Sequence, residues 1–569
     1  MDLFLDIETN TQHNHIWMCY TYDETNGYVC HKEASSLIPL INKADRVIGH
    51  NLIGFDAPLL NKLWGTRITL KKSKDTLVMS RLAKPDIEKG HSLEAWGERL
   101  GGRKKSDYQR IYWRLQGVRE YDKKDLSHWN NPHLPLMAAY CQRDVEVLRG
   151  VYEWVTKELE GWGESVELEH QVAAIVKRQV DRGFKFDAKK AQVLMSQLSS
   201  EVVDIEGSLQ DIFPPIVEER WSEKTGKRLK DKVTVFNPAS RQQIAQRLKS
   251  LGVILEKETD KGNTIIDEKV LASVDIPEAK SIARYLLLQK RISQVSSWFK
   301  EVKDDGRIHG RVITNGAVTG RMTHMAPNMA QIPNAGSEYG PECRDCFTVA
   351  EGYSLVGADA SGLELRMLAH YMRSESYVKT VVEGSSKDGT DVHTINQKAA
   401  GLNTRDEAKT FIYGFLYGAG PAKIGSIVGG NAATGKKLID KFLRATPALQ
   451  KLRDKVARYA AKGFMPGLDG RKVWVRSEHA ALNTLLQSAG AIVMKKALVI
   501  LDKKIKCAKI DAHIVVNVHD EWQIETAFGY EEEVGKMAVE AIEEAGRHFN
   551  MRCPLTGEYK YGVTWKETH

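Results

Sequence analysis

The sequence predicts a multidomain protein of mixed α/β architecture, on three observations. Its 569 residues exceed the roughly 250–300 at which a single hydrophobic core stops growing. Short apolar runs such as 3–8 and 353–359 end in acidic residues and indicate buried strands. Segments with helical periodicity, such as 404–417, lie between such runs. We therefore expect several α/β domains that pack directly against one another.

Composition and charge narrow the class of protein. Hydrophobic residues make up 42% and charged residues 27% of the chain, and no apolar run approaches the ~18 residues of a membrane span. The net charge of +8 is compatible with a polyanionic partner but is small for so long a chain. The first residues do not resemble a secretory signal, so we expect a cytoplasmic protein. The seven scattered cysteines lack zinc-site spacing and predict reduced thiols.

A set of acidic residues near the N-terminus predicts a metal site. Asp6 and Glu8 are two apart in a predicted strand and so share one face. Asp56 follows a second apolar run, and Tyr140 and Asp144 are four apart on a predicted helix. Converging carboxylates repel unless a cation lies between them, and oxygen ligands suit Mg²⁺ or Mn²⁺. The alternative is a solvated strand edge and an ordinary helix pair.

A second acidic pair lies in the C-terminal half. Asp359 ends a predicted strand before a helical segment, and Asp520 lies at the turn of a predicted hairpin over 513–524. A single Asp at a hairpin tip is usually a turn residue. Two acids presented by sheet elements are, however, what a two-metal phosphoryl-transfer site requires.

The helix predicted between these acids carries an unusual stripe. Residues 404–407 match a capping box, and Gly418 ends the helical pattern. Two cations and two aromatics follow at i+4 spacing on one face: Arg405, Lys409, Tyr413 and Tyr417. Cations near a helix N-terminus oppose the macrodipole, which indicates an anionic ligand such as a triphosphate. The alternative is a helix at the edge of the core whose cations extend into solvent.

Taken together, these motifs resemble those of two enzyme families. The ordered set D-x-E, N-x(4)-D and Y-x(3)-D resembles the motifs of DnaQ-like 3′-to-5′ exonucleases. The segments 359–366, 405–418 and 518–521 resemble the three polymerase motifs of family A, the DNA polymerase I group, and the wording of 409–420 and 481–490 is similar to its short-tailed bacteriophage branch. The resemblance implies an RNase H-like α/β exonuclease domain followed by a mixed α/β right-hand polymerase with palm, fingers and thumb.

The resemblance also implies domain limits and a function. The expected domains are the exonuclease over 1–155, the thumb and start of the palm over 156–345, the palm over 346–395, the fingers over 396–480, and the palm again over 481–569. The expected activity is addition of deoxynucleoside triphosphates to a primer 3′ end by two-metal transfer, with 3′-to-5′ proofreading, in phage-type DNA replication. Each active site would hold two Mg²⁺ ions, with Mn²⁺ as an alternative.

Individual residues acquire roles through the same resemblance. The catalytic residues would be Asp359 and Asp520 in the polymerase, and Asp6, Glu8, Asp56, Tyr140 and Asp144 in the exonuclease. All except Tyr140 would be metal ligands, joined by the backbone of Ala360, and Tyr140 would orient the attacking water. Nucleotide would be bound by Arg405, Lys409, Tyr413, His393 and Glu364, with Glu364, packed against Tyr413, excluding a ribose 2′-hydroxyl. Primer-template DNA would be contacted by Tyr417, Arg344, Arg321, Asn483, Gln487 and His519.

The remaining expectations concern partners and alternatives. We expect a monomer that binds primer-template DNA and dNTPs and works with a replicative helicase or a single-stranded-DNA-binding protein. Thioredoxin is not expected, because the thumb lacks the long insertion that binds it in the best-known phage relative. The basic segment 223–232 predicts a solvated thumb loop, with a contact to duplex phosphates as the alternative. Competing hypotheses are a single-subunit RNA polymerase, a nuclease with a DNA-holding second half, and a structural nucleic-acid-binding protein.

Overall fold

The computed structural model describes residues 1–101, 107–255 and 264–569. Within these ranges the α-helices are α1 Ala34–Lys43, α2 Asp56–Leu63, α3 Thr76–Ala83, α4 Leu93–Arg99, α5 Tyr108–Leu115, α6 Leu134–Glu158, α7 Ser165–Arg182, α8 Ala188–Ile212, α9 Arg241–Ser250, α10 Glu268–Ala272, α11 Pro277–Glu301, α12 Gly340–Asp345, α13 Leu363–Met372, α14 Glu375–Glu383, α15 Val392–Ala400, α16 Arg405–Leu416, α17 Pro421–Ser426, α18 Ala432–Ala445, α19 Pro447–Ala460, α20 Ala481–Ala508 and α21 Glu531–His548. The strands are β1 Asp2–Thr9, β2 Ile16–Asp23, β3 Gly27–His31, β4 Arg46–Gly49, β5 Ser73–Asp75, β6 Phe184–Phe186, β7 Ile216–Trp221, β8 Arg228–Thr234, β9 Arg307–Ile308, β10 Arg311–Ile313, β11 Thr323–Met325, β12 Phe347–Thr348, β13 Tyr353–Ala360, β14 Phe464–Pro466, β15 Lys472–Trp474, β16 Ala512–Val518, β17 Glu521–Ala527 and β18 Gly557–Gly562.

The N-terminal domain is built on a five-stranded sheet of order β3-β2-β1-β4-β5. β1 pairs antiparallel with β2 and parallel with β4, and β4 pairs parallel with β5. Leu3, Leu5 and Ile7 of β1 are buried in one core cluster. Because side chains alternate along a strand, Asp6 and Glu8 emerge on the opposite face of the sheet. The long helix α6 packs against β1 and β2.

The region expected to form the thumb is organised by α8 and α11, two helices of 25 residues each that pack against one another. Their apolar residues share a core with the start of the palm sheet. The segment 216–234 extends from this pair as the antiparallel hairpin β7–β8, with Val217 paired to Val233 and Gly226 at φ 62° in the turn. It is solvated, as predicted, but it is a hairpin rather than a loop, because its β-branched and aromatic residues favour strand pairing on either side of the turn at Gly226.

The region expected to form the palm contains a four-stranded antiparallel sheet of order β16-β17-β13-β18, called the palm sheet below. Val356 and Ala358 of β13 join the core shared with the fingers, whereas Leu355 joins the core shared with the thumb. The central strands β13 and β17 are therefore buried on both faces, whereas the edge strand β18 has exposed residues along its length. Residues 478–508, which include α20, contain an 18-residue window that is apolar enough to span a membrane, but 72% of that window is buried inside the protein, as in a core helix.

A buried ionic triad joins the palm to the residues that precede it. Glu525 of β17 is 1% exposed and accepts two bonds from Arg307 Nη2, at 2.8 and 3.0 Å. Arg182, at the end of α7, donates to the same carboxylate at 2.6 and 2.7 Å. The backbone N–H of Ala350 adds a further bond at 3.0 Å. Two cations from different elements thus converge on one carboxylate of the palm sheet.

The hairpin β14–β15 connects the N-terminal domain to the rest of the chain. Trp474 Nε1 donates to the carbonyl of Ala83 at 2.8 Å. Two glycines with positive φ bring backbone against backbone: a Cβ on Gly163 would lie 2.9 Å from the carbonyl oxygen of Asp469, and one on Gly470 would lie 2.9 Å from that of Trp162. Such close approach is available only to residues without a side chain.

Candidate active sites

The N-terminal acids converge beside β1. Asp6 and Glu8 share a strand face, Asp56 begins α2, and Asp144 lies one turn from Tyr140 on α6. Glu8, Asp56 and Asp144 are buried, as is the ring of Tyr140. Burial and then the charge of Asp6 raise the pKa of Asp56. The structure therefore brings the predicted acids of this site together in a region that disfavours their negative charge.

A cysteine that the motif analysis did not single out lies among these acids. Cys141 Sγ is 3.5 Å from a carboxylate oxygen of Asp6, and one ligand atom from each of Asp6, Glu8 and Cys141 lies within 4.8 Å of the others. Burial, and then the charges of Asp6 and Glu8, raise the pKa of the Cys141 thiol. The neutral thiol can donate to Asp6. The sequence shows that Cys141 follows Tyr140, but it does not show the contact of Cys141 with Asp6 on β1.

Asp75 supports the turn that leads to Asp56. Its carboxylate accepts the backbone N–H groups of Asn51 and Ile53, each at 3.0 Å, and also caps α3. Asn51 has a φ of 68°, a left-handed conformation that Asn tolerates better than most residues. The turn before Asp56 is thus fixed by hydrogen bonds to a carboxylate that is itself buried.

The second acidic pair meets at the end of the palm sheet. Asp359 lies opposite Glu521 in the β13–β17 register, and the backbone N–H of Ala360 donates to the carbonyl of Asp520 at 3.1 Å. Burial, and then the charges of Asp520 and Glu521, raise the pKa of Asp359 to about 7. Residues 161 positions apart in sequence therefore form one acidic cluster.

Glu521 and His569 complete this cluster and were not assigned roles from the sequence. His569 Nδ1 lies 3.2 Å from Glu521, and Trp565 Nε1 donates to the same carboxylate at 2.5 Å. Although burial opposes the effect, His569 and Arg344 lower the pKa of Glu521. Glu521 is therefore favoured in its ionised form, whereas the surroundings of Asp359 disfavour its negative charge. Only the hairpin of residues 513–524 was visible in the sequence; the return of residues 565–569 to it was not.

The predicted stripe on α16 faces the cluster. The capping box is present, formed by Thr404 and Glu407. Arg405 and Lys409 are exposed, while the ring of Tyr413 is half-buried between His393 and Tyr417, with centroids 6.2 and 6.3 Å away. The helix thus presents its cations to solvent and its aromatic rings toward the palm.

Arg405 has a carboxylate partner. Its Nη2 and Nε lie 2.9 and 3.1 Å from Asp391, the residue that caps α15. Although burial opposes the effect, Arg405, Thr394 and the backbone N–H of His393 lower the pKa of Asp391 to about 2. An anionic ligand at Arg405 would therefore compete with Asp391.

Glu364 connects the palm to α16. It accepts a hydrogen bond from the Tyr417 hydroxyl at 2.8 Å and lies 3.4 Å from Arg321 Nη2. The direct bond is thus to Tyr417, one turn beyond the Tyr413 named from the sequence. The charge of Glu364 still reaches Tyr413, whose pKa is raised by burial first and by Glu364 second.

The predicted DNA-contacting residues differ in exposure. His519 and Tyr417 are exposed, and Asn483 and Gln487 lie half-buried one turn apart on α20. The side chain of Arg344 is instead 7% exposed: it donates to the carbonyl of Pro333 and lies over the ring of Trp565. A minor-groove contact by Arg344 would require this side chain to move, because in the structure it supports Glu521 from within the core.

Comparison with known proteins identifies the family. The family model described as DNA polymerase family A matches residues 217–567. The chain belongs to DNA polymerase family A. As a member, it is a DNA-directed DNA polymerase, and the predicted family is confirmed. Of the competing hypotheses, a single-subunit RNA polymerase and a purely structural protein no longer apply.

Curated relatives and a solved structure are similar over most of the polymerase. The DNA-directed DNA polymerase of Enterobacteria phage T3 is 34% identical over 93% of this chain and 93% of its own length. That of Escherichia phage T7 is 33% identical over 98% and 97%. The POL domain of Pol1 from M. smegmatis, in complex with DNA primer-template and dNTP, covers 99% of the chain with a TM-score of 0.79 and 18% identity, and is itself covered to 95%. The polymerase therefore has the predicted right-hand fold after an N-terminal domain.

Proposed function

We propose that the polymerase extends a primer 3′ end with dNTPs on a DNA template at the Asp359–Asp520 cluster, and removes misincorporated nucleotides at the Asp6–Asp144 cluster. The observation that carries the first part is the meeting of Asp359 and Asp520 at the end of the palm sheet. Burial and the acidic neighbours there also raise the pKa of Asp359 to about 7. A partly buried acidic pair is unfavourable on its own and becomes favourable around a cation. The M. smegmatis neighbour was solved with primer-template and dNTP, which supports the same ligands here.

Both clusters have donor sets that fit Mg²⁺, with Mn²⁺ as an alternative. Asp359, Asp520 and the backbone of Ala360 offer oxygen ligands in the palm; Asp6, Glu8, Asp56 and Asp144 do so in the N-terminal domain. When bound, paired divalent cations would activate the attacking hydroxyl or water and neutralise charge on the phosphates. Without a cation, burial and mutual repulsion of these carboxylates would make their negative charge unfavourable.

The residues around the palm cluster would bind and select the nucleotide. Lys409 and Arg405 supply cations for the triphosphate, with Asp391 releasing Arg405 as phosphate binds. The ring of Tyr413 would lie against the base. His393 behind it, whose pKa is lowered by burial and by Arg405, would offer the triphosphate a hydrogen-bond donor rather than a charge. Glu364, held by Tyr417, would exclude a ribose 2′-hydroxyl by bulk and charge. Arg321, His519, Asn483 and Gln487 would follow the minor groove, where acceptors occur at similar positions in every base pair.

In the N-terminal domain the chain's own residues would position a water and a primer end. Tyr140, next to the acids on α6, would orient the attacking water through its hydroxyl. Asp75 would keep Asp56 in place by holding the 51–53 turn. This second activity would let one chain both extend and correct a primer, as befits replication with a helicase or a single-stranded-DNA-binding protein. The hairpin β7–β8 is short, so we do not expect thioredoxin as a processivity partner.

Reciprocal inactivation tests the assignment. Asp359→Ala should abolish primer extension and leave removal of a single-stranded 3′ end, whereas Asp6→Ala with Glu8→Ala should do the opposite. Asp454→Ala, an exposed acid on α19, is the matched control and should change neither. Extension that survives Asp359→Ala would refute the palm site. Degradation that survives the Asp6 and Glu8 changes would refute the exonuclease site, and absence of degradation in wild type would leave a polymerase alone.

A further inference from the structure

Two neighbouring residues on α7 are buried and engage different domains. Glu169 is 0% and His170 is 2% exposed. Consecutive helical residues are ~100° apart around the axis, so one helix can support structures on both sides. Glu169 faces the palm and fingers, and His170 faces the N-terminal domain. Neither residue belongs to the sites described above.

Glu169 is the centre of a fully buried ionic node. Lys495 Nζ donates to both of its oxygens at 2.7 and 2.9 Å, and Arg471 Nη2 lies 2.8 Å away. Arg471 is also bidentate to Asp469, and Lys495 donates to Asn315 Oδ1 at 2.7 Å. Although burial opposes the effect, Lys495 and Arg471 lower the pKa of Glu169. Two cations and two carboxylates are thus balanced inside the protein, which is required for buried charges to persist.

The node holds the loop that carries Arg321. Lys495 anchors the first residue of that loop, Asn315, and a Cβ on Gly320 would lie 3.2 Å from Arg471 Nη1. The loop is closed by backbone bonds from Ala317 N–H to the Arg321 carbonyl at 3.2 Å and from Gly320 N–H to Ala317 at 2.9 Å. Arg321 at its end reaches toward Glu364. The position of Arg321 therefore depends on charges carried by α7 and α20.

His170 supports the other site in a different way. Its Nε2 accepts the backbone N–H of Asp75 at 2.8 Å, and its Nδ1 lies 2.7 Å from the carbonyl of Val166. Nδ1–H must therefore donate and Nε2 accept, which fixes the neutral tautomer. Burial lowers the pKa of His170 and favours that neutral form. Asp75 in turn holds the turn that leads to Asp56.

We propose that α7 is a shared support of both active sites, with Glu169 positioning the Arg321 loop at the primer end in the palm and His170 positioning the turn that presents Asp56. The Glu169 half rests on the polymerase activity, and the His170 half rests on the proposed exonuclease. Both are positioning residues, because neither would touch DNA or nucleotide. Placing them next to each other on one rigid helix fixes the two sites relative to one another.

A double-mutant cycle tests the Glu169 half, in an Asp6→Ala, Glu8→Ala background that protects the primer. Glu169→Gln should weaken the affinity for a recessed primer-template about tenfold, the scale of one lost charge-assisted contact. Arg321→Ala should weaken it similarly, and the two together no more than Arg321→Ala alone, because the first acts through the second. Lys504→Met, an ion-paired lysine of the same helix α20, is the control and should leave the affinity unchanged. Additive losses, or an unchanged affinity in Glu169→Gln, would overturn this half.

A charge-neutral pair separates positioning from folding. Glu169→Gln alone leaves a net buried positive charge, so it could unfold the protein. Glu169→Gln with Lys495→Gln restores neutrality and should restore the thermal midpoint. The primer-template affinity should stay low, because the shorter side chain at 495 no longer reaches Asn315. Recovery of the affinity together with stability would show that Glu169 acts only through folding.

The role proposed for His170 can be tested by comparing a substitution that keeps a hydrogen-bond acceptor with one that removes it. Gln at 170 can keep an acceptor near the Nε2 position, whereas Leu cannot. His170→Leu should lower the rate of single-stranded 3′-end degradation about tenfold relative to the extension rate, and His170→Gln should retain most of it. Equal rates in both variants would overturn this half. A wild-type protein that degrades no DNA would instead refute the proposed exonuclease, while the Glu169 cycle would still report on the palm.

Discussion

Replacing Glu525 with Gln isolates the buried carboxylate that ties the palm sheet to α7 and β9. The carboxylate accepts from Arg307, Arg182 and the backbone N–H of Ala350 while only 1% exposed. The amide keeps the shape but leaves two guanidinium groups without a counter-ion, and its NH₂ group opposes their N–H donors. Breaking a buried ion pair costs about 3–5 kcal/mol of stability. We expect a loss in that range, as the largest of any single change in the triad.

Partial changes should rank by the charge that they leave behind. Arg307→Met leaves Glu525 paired with Arg182, so we expect a smaller loss of about 1–3 kcal/mol. Arg182 is 27% exposed, and Arg182→Met should cost about 1 kcal/mol or less, because solvent screens the pair. Urea unfolding followed by tryptophan fluorescence gives all three values, with the m-value as the check on two-state behaviour. A loss below about 1 kcal/mol for Glu525→Gln would refute the reasoning.

The contribution of Glu525 to stability should depend on pH in a definite direction. Although burial opposes the effect, Arg307, Ala350 N–H and Arg182 lower the pKa of Glu525 below its usual range. The stabilisation is therefore present above the unfolded pKa of about 4.3 and is lost as the pH falls through the lower folded value. The wild type should lose more stability than the variant on acidification below about pH 4.5. Parallel acid profiles would contradict the assignment.

Three further outcomes follow from the sites. Without divalent cations at pH 8, Asp359→Asn should stabilise the fold by roughly 2 kcal/mol, because the raised pKa of Asp359 means that its negative charge destabilises the fold above pH 4. The figure is the pKa shift to about 7, discounted for partial exposure. Mg²⁺ should remove this gain in the thermal midpoint. Burial and His519 lower the pKa of His324 to about 4. Between pH 6.5 and 4 the unfolded state therefore takes up a proton at His324 that the folded state excludes, which should cost wild type roughly 3 kcal/mol, and His324→Gln should lose less stability in matched urea titrations. The family resemblance links Tyr at position 413 to ready use of dideoxynucleotides, so Tyr413→Phe should raise discrimination against them by about tenfold, the value of one hydrogen bond. Equal incorporation by both proteins would exclude a role for the Tyr413 hydroxyl.

Local sequence patterns predicted the elements that carry the sites. The run before Asp359 and the capping box at Thr404 depend on residues within a few positions of each other, so periodicity and capping rules suffice to place β13 and α16. The positions of the motif residues could be predicted as well, because each lies at or near the end of such an element. Family A membership was also predicted correctly from the wording of these motifs.

The supporting contacts could not be predicted, because they join residues far apart in the chain. Glu169 and Lys495 are separated by 326 positions, and neither lies in a recognisable motif. Arg344 is buried partly because the ring of Trp565, which is distant in the sequence, packs against it. The hairpin β7–β8 was missed because its charged residues outnumber its apolar ones, so composition favoured a loop.

The paired glycines Gly163 and Gly470 make the N-terminal domain hard to remove. Their main chains touch with no side chain between them, and the neighbouring Trp474 bonds to a carbonyl of that domain. Deleting the N-terminal domain would expose the backbone at Gly470 and the hairpin β14–β15 that contains Arg471. The polymerase region and the N-terminal domain are therefore complementary at this contact. Exchanging either one between relatives would require matching residues on the other side of the contact.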